Sequence, residues 1–428
     1  MTTNISTYSR CVLFRLHRMN ITFHNSFSAI YIAVILTFIS FLTACDTQER
    51  LAAQTEADER AAICDSTVVI HIDRCTINEI PLSKLVQSVA YVELETNDSS
   101  LLYTPTNIKL TDSLIYVYDI MEQLKRFDRK GHYLGNAYQR GEGPEELINL
   151  YDFDVDEEHL YLLEGNRSIL FVCTHYGKLI ARHQLPFRAV RFKHLPNGEY
   201  LFRLAPFTLK ERDEEQALLV RTDKDFRPLA HYLTQDHEAE GTRLRTPFFE
   251  NTYSSCYFAP LYKRSIYTLE GENFYMKYYL DFGTPYYETS RDVDGMSEAK
   301  EQGIFFTHNN PIHNDAYLFQ PFATSKEQQG LLIIDRNTHK ALFARRIEND
   351  RNDMLDFNML SAGLTYDELT GSFVGLASYY YENVFKPEDL RRIKELLPDT
   401  LEPVLLRKEE EEINPILLFY KTGNQLIP

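Results

Sequence analysis

The chain has 428 residues with a net charge of −17, and its shares of hydrophobic (44%) and charged (25%) residues are ordinary for a globular protein. Such an acidic chain repels polyanions, which excludes nucleic acid as a partner. Tyr and Phe number 28 and 27 while Trp is absent. The β-forming residues recur in short bursts rather than at helical spacing, which favours an all-β fold.

The N-terminus has the pattern of an export signal. Its basic residues are followed by an apolar stretch over residues 30–42, and no acidic residue precedes Asp46. Thirteen apolar-rich residues are short for a membrane span, which needs about 20. The basic side chains are Arg10, Arg15 and Arg18. Met19 is an alternative start that leaves a signal of normal length.

Cys45 closes this segment in the sequence Leu42-Thr43-Ala44-Cys45, which resembles the bacterial lipobox. We therefore expect residues 1–45 to be a lipoprotein signal and the Cys45 thiol to be acylated, so that a lipid anchors the protein to the membrane. The alternatives are an ordinary signal peptide or an N-terminal anchor helix. Residues 46–428 contain 42 basic and 62 acidic side chains, a net charge of about −20. That charge suits a soluble body held off an anionic membrane.

Residues 46–66 are polar and alanine-rich and are predicted to be a flexible spacer. Beyond it, residues 67–428 are predicted to form one domain. Cys64 and Cys75 bracket a short apolar run and could form a disulfide in an oxidising compartment. Cys173 and Cys256 lie in strand-like runs and are simpler to explain as small buried residues.

A repeated pattern within this domain predicts the fold. An apolar strand that ends in a polar turn occurs six times, at residues 124–131, 169–177, 217–225, 265–273, 331–337 and 416–424. A second apolar strand precedes each copy, at residues 114–118, 159–163, 199–203, 255–259, 316–320 and 372–377. The copies lie about 40–65 residues apart, which is the period of a propeller blade with four antiparallel strands. The sequence therefore predicts a six-bladed β-propeller.

The two ends of the domain predict how the ring closes. The sixth copy reaches the C-terminus with no fourth strand after it, and residues 68–72 form a strand with no blade of their own. Pairing residues 68–72 with residues 416–420 would complete the last blade and remove two exposed strand edges. Within that blade, Pro387 and the apolar spacing that follows it predict a helical insertion near residues 387–412.

Three segments give the chain a resemblance to a known family. They are the run Arg140-Gly141-Glu142-Gly143-Pro144-Glu145-Glu146, residues 266–269 with 277–283, and residues 414–420. With the repeats, they resemble the six-bladed β-propeller lipoproteins of Gram-negative envelopes, a largely uncharacterised family distantly similar to NHL-repeat propellers. The resemblance implies a propeller anchored in the cell envelope, most simply at the outer membrane. It supplies no catalytic residues and no cofactor.

The candidate binding residues are Arg140 and Glu142. The glycine-rich run around them lacks the Lys-Ser/Thr of a P-loop, and it is predicted to connect the outer strand of one blade to the inner strand of the next. Such connections lie on the face where propellers usually bind ligands, which is an argument from fold analogy.

Other motifs carry weaker signals. Residues 152–156 alternate Asp with Phe and Val, but they lack the Gly and Glu of a calcium loop. The histidines are scattered and show no metal-ligand spacing. Most clustered tyrosines are expected to pack between blades.

These features favour a non-enzymatic module that binds a peptide, protein or glycan. The alternative is a metal-dependent hydrolase or lyase with a site on the axis of the ring. A purely structural partner in an outer-membrane assembly is a third hypothesis.

Overall fold

The chain divides into two units, Met1–Ala61 and Ala62–Pro428. The computed structural model describes part of the second unit, namely residues 63–103, 105–119, 121–143, 146–205, 217–234, 256–260, 263–283, 306–307, 311–323, 329–348, 365–377, 414–423 and 426–427. No helix in these ranges is long and apolar enough to cross a bilayer.

Six β-sheets make up the described part, and each is one blade of a propeller. Blade 1 contains β4 (Pro105–Leu110), β5 (Leu114–Asp119), β6 (Leu124–Asp128) and β7 (Tyr133–Asn136). Blade 2 contains β8 (Asp152–Val155), β9 (His159–Glu164), β10 (Ile169–Thr174) and β11 (Leu179–Gln184). Blade 3 contains β12 (Ala189–His194), β13 (Tyr200–Leu204), β14 (Ala217–Thr222) and β15 (Pro228–Thr234).

The second half of the ring follows the same plan. Blade 4 contains β16 (Cys256–Phe258), β17 (Ser265–Glu270) and β18 (Asn273–Asp281). Blade 5 contains β19 (Phe306–Thr307), β20 (Ile312–His313), β21 (Tyr317–Ala323), β22 (Gln329–Asp335) and β23 (Ala341–Glu348). Blade 6 contains β24 (Thr365–Asp367), β25 (Ser372–Ala377), β26 (Ile416–Thr422) and, from the N-terminal part of the domain, β3 (Val86–Glu93).

The repeated strands predicted from the sequence are confirmed. The six copies of the apolar strand are β6, β10, β14, β17, β22 and β26, and the strands before them are β5, β9, β13, β16, β21 and β25. In each blade the two run antiparallel as direct neighbours. These strands are apolar on both faces because a blade is covered by another blade on each side. In β10, for example, five consecutive residues are buried.

Six separate hydrophobic clusters hold the blades together, one between each pair of neighbours. In the cluster between blades 1 and 2, Phe153 and Phe171 are completely buried beside Tyr116. Phe127 of blade 1 is also completely buried, but it belongs to the cluster between blades 6 and 1. Burial of one such side chain stabilises the fold by roughly 1.5–3 kcal/mol. The sixth cluster joins Val374 and Leu417 of blade 6 to blade 1. The ring of blades is therefore closed.

The N-terminal part of the domain runs along three blades before it closes the ring. Strand β1 (Val68–His71) pairs in parallel with β18, and β2 (Thr76–Pro81) pairs in parallel with β23. The single-turn helices α1 (Ile72–Cys75) and α2 (Leu82–Leu85) follow these two strands. Strand β3 then pairs antiparallel with β26. We call residues 68–93 the strap.

The predicted closing strand was wrong in its residues. Residues 68–72 do not pair with residues 416–420, because Val68–His71 pairs with Tyr278–Asp281 of blade 4. The strand that completes blade 6 is β3, Val86–Glu93. Its eight residues can pair along all seven residues of β26, whereas β1 has only four residues. A strand from the N-terminal part of the domain does complete the last blade, as expected. The helical insertion predicted near residues 387–412 lies outside the described residues.

Candidate functional site

The two faces of the ring differ in the length of their connections. We call the face where β4, β8, β12 and β24 begin the upper face, and the opposite one the lower face. Between described neighbouring strands, the lower-face turns are short, such as residues 111–113 and 271–272. The chain between strand ends on the upper face is longer in later blades, since residues 205–216 separate β13 from β14 and residues 378–415 separate β25 from β26. The upper face therefore offers more chain for recognition.

Arg140 and Glu142 lie on this upper face, in the connection from β7 to β8, as the sequence predicted for that run. The Arg140 guanidinium lies 3.5 Å from the Glu122 carboxylate, and its Nε donates to the Ile148 carbonyl at 3.1 Å. Glu142 is exposed. The structure thus places both at the surface, where Arg140 braces the connection and Glu142 remains accessible.

The glycine-rich connection is occupied by a carboxylate of its own chain. Glu146 accepts a hydrogen bond of 2.9 Å from the Gly143 amide. A Cβ at Gly141 would lie 1.9 Å from Glu146 Oε2, so only glycine permits this approach. Because Glu146 takes the amide that an anion would need, the connection is not a phosphate cradle.

A set of charged side chains, four of them buried and Arg191 half-buried, lies on the inner strands of blades 1 to 3. We call it the inner-strand charge cluster, and it consists of Lys109, Asp152, Asp154, Arg191 and Lys193. The Lys109 ammonium lies 2.7 Å from Asp154, and the Lys193 ammonium lies 3.6 Å from the same carboxylate. These three side chains are at most 2% exposed. One carboxylate thus links three blades.

The two aspartates also satisfy the backbone at the inner edge of the next blade. Asp152 accepts a hydrogen bond from the Phe192 amide at 2.9 Å, and Asp154 accepts one from the His194 amide at 2.8 Å. An innermost strand has no neighbouring strand on one side, so the backbone amides along that free edge need other hydrogen-bond partners. Residues 152 and 154 face the same way because side chains alternate along a strand.

The two carboxyls of the cluster have pKa values shifted in opposite directions. Burial raises the pKa of Asp152 to about 6, against the opposing effect of the Arg191 and Lys109 charges. Burial acts in the same sense on Asp154, but the ammonium groups of Lys109 and Lys193 outweigh it and lower that pKa below its ordinary value. Asp154 is therefore the ionised centre of the cluster.

Sequence reasoning did not identify the inner-strand charge cluster. Its signal was present as alternation of charged and apolar residues in two short strands, Asp152–Val155 and Ala189–His194. The first strand overlaps the segment considered as a calcium loop. In the structure its aspartates bind lysines and backbone amides, and Asp156 accepts the Tyr161 hydroxyl at 2.7 Å.

Several tyrosines and histidines pair across blades rather than around an axial site. The Tyr116 hydroxyl lies 2.7 Å from Nδ1 of His175 in the next blade, and Tyr278 lies 3.4 Å from Nδ1 of His339 in the same manner. In the part of the chain that the structure describes, no three His, Cys, Asp or Glu side chains are grouped to hold a metal ion.

Cys64 and Cys75, which the sequence allowed as a disulfide pair, are free thiols in the structure. Cys64 instead lies 3.0 Å from the Ser66 hydroxyl, and such contacts lower its pKa to about 7. Cys173 and Cys256 are buried, as expected. Cys45 lies outside the described residues.

Together, the six sheets, the closed ring and the buried inner-strand charges define a six-bladed β-propeller. More particularly, the chain belongs to the family described as a domain of unknown function (DUF4934), which matches residues 67–421. A comparison with functionally curated proteins finds no match.

Solved structures share the fold at low sequence identity. A putative exported protein from Bacteroides fragilis is 16% identical, with a TM-score of 0.60, and the match covers 83% of this chain and all of that one. A member of the DUF4221 family from Bacteroides vulgatus is 10% identical, with a TM-score of 0.46 over 79% of this chain and 97% of that one. At 16% identity, the likeness to the Bacteroides fragilis protein shows the fold alone.

Proposed function

We propose that this protein is an envelope lipoprotein, anchored through an acylated Cys45, whose propeller binds a protein, peptide or glycan ligand without catalysis. The supporting observation is the difference between the two faces. The lower face has short turns, whereas the upper face has the long connections and the Arg140–Glu142 segment. The similarity of the fold to an exported protein is consistent with an extracytoplasmic site of action.

The lipid anchor is tested by metabolic labelling. Cells expressing the full chain are fed an alkyne-tagged fatty acid, and the purified protein is examined for label and for mass. Wild-type protein is expected to carry the label and to begin at Cys45, whereas Cys45→Ser loses it. Cys64→Ser is the matched control and keeps it. Label retained by Cys45→Ser would reject the anchor.

The binding function is tested on the full-length protein purified in detergent. Arrays of immobilised glycans and of peptides are the probes, and a thermal-shift measurement with Zn²⁺, Ca²⁺ or Mn²⁺ is run in parallel. We expect binding to one array class that Arg140→Ala or Glu142→Ala weakens and that the lower-face control Arg227→Ala leaves unchanged. A large metal-dependent rise in melting temperature, reversed by chelation, would instead favour the axial metalloenzyme.

A further inference from the structure

Two arginines of blade 3 lie directly opposite each other on neighbouring strands. Arg191 of β12 and Arg203 of β13 are register partners in an antiparallel pair, so their side chains leave the same face of the sheet. Like charges in this position destabilise a sheet. Such an arrangement needs compensating negative charge, and Asp152 supplies it for Arg191.

Arg203 has no such compensation among the described residues. Its side chain is 7% exposed, its Nε has no hydrogen-bond partner, and no described carboxylate lies within ion-pair distance. Burial and, to a smaller extent, the like charge of Arg191 lower the pKa of Arg203 to about 10. A buried guanidinium without an anion is costly.

The neighbours of Arg203 are otherwise apolar. Its guanidinium carbon lies 6.0 Å from the centre of the Phe258 ring, and the hydrophobic cluster between blades 3 and 4 contains Leu201, Leu219, Cys256 and Phe258. Arg203 is the penultimate residue of β13, at the upper-face end of that strand. The position thus combines an unpaired buried cation with apolar walls.

We infer that Arg203, with Arg191 opposite, binds the carboxylate of a ligand that has an apolar group attached, as at the C-terminus of a peptide ending in an apolar residue. This inference rests on the proposed binding function and specifies the chemistry of its ligand. A guanidinium pairs with a carboxylate through charge-assisted hydrogen bonds, and the apolar group packs against Phe258. Arg191 donates to the Tyr151 and Val190 carbonyls, both at 2.7 Å, which holds its guanidinium in place.

The probe for this site is N-acetyl-phenylalanine, compared with its amide, with acetate and with inorganic phosphate. Binding to the full-length protein is measured by calorimetry and by the rise in melting temperature. We expect the free acid to bind and the amide to bind at least tenfold more weakly, because removal of one charge-assisted hydrogen bond costs roughly a factor of ten or more.

The variants separate a binding role from a structural one. Arg203→Met is expected to raise the melting temperature of the unliganded protein, because it replaces an uncompensated charge by an apolar chain of similar length. It is also expected to abolish the binding of N-acetyl-phenylalanine and the rise in melting temperature that this acid causes. The exposed arginine variant Arg227→Met changes neither property. If Arg203→Met lowers the melting temperature and leaves binding of the acid unchanged, the inference is overturned.

The remaining outcomes distinguish this inference from the proposed function. Equal binding of acid and amide overturns the carboxylate site but leaves a propeller that binds ligands. Phosphate binding as tightly as the acid overturns the choice of an apolar carboxylate. Failure of all four probes overturns the inference, while the arrays independently decide whether the upper face binds anything.

Discussion

Asp152 and Asp154 are two positions apart on β8, yet their carboxyls have opposite electrostatic surroundings. Asp154 is shared by two ammonium groups, at 2.7 and 3.6 Å. The charges of Arg191 and Lys109 act on Asp152 too, but they do not offset the effect of its burial. A difference of this kind makes the protonation of one carboxyl, and not the other, change with pH near neutrality.

The pKa of Asp152 predicts how stability changes with pH. Burial raises this pKa to about 6, so between its unfolded value and 6 the native state binds more protons than the unfolded state. The free energy of unfolding therefore falls as the pH rises through that window, by about 3 kcal/mol from this one group. In Asp152→Asn this contribution is absent.

Urea denaturation of both proteins between pH 4 and pH 7.5 checks this expectation. The stability of Asp152→Asn relative to the wild-type protein should increase by that amount as the pH rises. A constant difference across the range would mean that folding does not raise the pKa of Asp152.

The shared carboxylate of Asp154 predicts a large loss on substitution. Asp154→Asn removes the counter-charge of Lys109 and Lys193 and is expected to lower the free energy of unfolding by roughly 3–5 kcal/mol. The control is Asp225→Asn, whose carboxylate lies 3.6 Å from Arg227 at an exposed turn and contributes at most about 1 kcal/mol. Equal losses for the two variants in urea denaturation would contradict the role given to Asp154.

At the scale of elements, the turn between β6 and β7 is fixed by the approach of the strap. Gly131 has a positive φ of 90°, and a Cβ there would lie 2.0 Å from the carbonyl oxygen of Glu93. Its own carbonyl accepts a hydrogen bond of 2.8 Å from the Glu95 amide. Gly131 thus permits blade 1 to contact the end of β3.

Gly131→Ala is therefore expected to destabilise the protein beyond the cost of its backbone conformation. Gly198→Ala is a matched control, because Gly198 has a φ of 80° and no atom within 4 Å of the added Cβ. The control should lose about 1–3 kcal/mol from strain alone, and Gly131→Ala should lose clearly more. Thermal unfolding measures both, and equal losses would show that the contact with Glu93 relaxes easily.

The same elements show what the sequence could and could not predict. Strands such as β10 and β22 were predictable because both of their faces are buried, which makes them continuous apolar runs between turns. The innermost strands are short and contain charged residues, so the alternating pattern of β8 resembles the start of a calcium loop although it lacks the rest of that motif. Periodicity describes single strands and not their partners, and for that reason the sequence predicted residues 68–72 as the closing strand and did not identify β3.

The site was less predictable than the fold for the same physical reason. Arg140 and Glu142 were placed on the correct connection because a glycine-rich run marks a turn. The opposition of Arg191 and Arg203 depends on the register between β12 and β13, which includes a shift between Ala189 and Arg191. An irregularity of one residue reverses the direction of every side chain, and no local pattern predicts it.

At the scale of the whole molecule, the ring is closed by contacts between distant parts of the chain. Asn414, two residues before the first residue of the last strand, contacts the segment that follows β3. Its side chain accepts from the Leu102 amide at 2.8 Å, across 312 positions in the sequence, and donates to the carbonyls of Glu95 and Ser100 at 2.7 and 2.9 Å. Asn414 is 2% exposed, so water cannot replace these bonds.

Asn414→Ala is expected to weaken ring closure and not merely one turn. It leaves the Leu102 amide and the Ser100 carbonyl without a partner, whereas the Glu95 carbonyl still accepts the Ser100 hydroxyl at 2.8 Å. Each buried unsatisfied group costs about 1–3 kcal/mol, so a loss of several kcal/mol follows. Such a loss is a large fraction of the stability of an ordinary domain. The control is Asn197→Ala, whose exposed side chain accepts only the Glu199 amide of its own turn among the described contacts.

Hydrogen exchange read at β3 and β26 distinguishes closure from a local effect. If Asn414 fastens the ring, Asn414→Ala raises exchange along both strands, because the seven register pairs between them open together when the last blade separates from the strap. Blades 2 and 3 should keep their protection under the same conditions, since the clusters between them do not include this junction. Exchange that rises only beside residue 414 would show that the register pairs and the apolar cluster between blades 6 and 1 hold the ring without it.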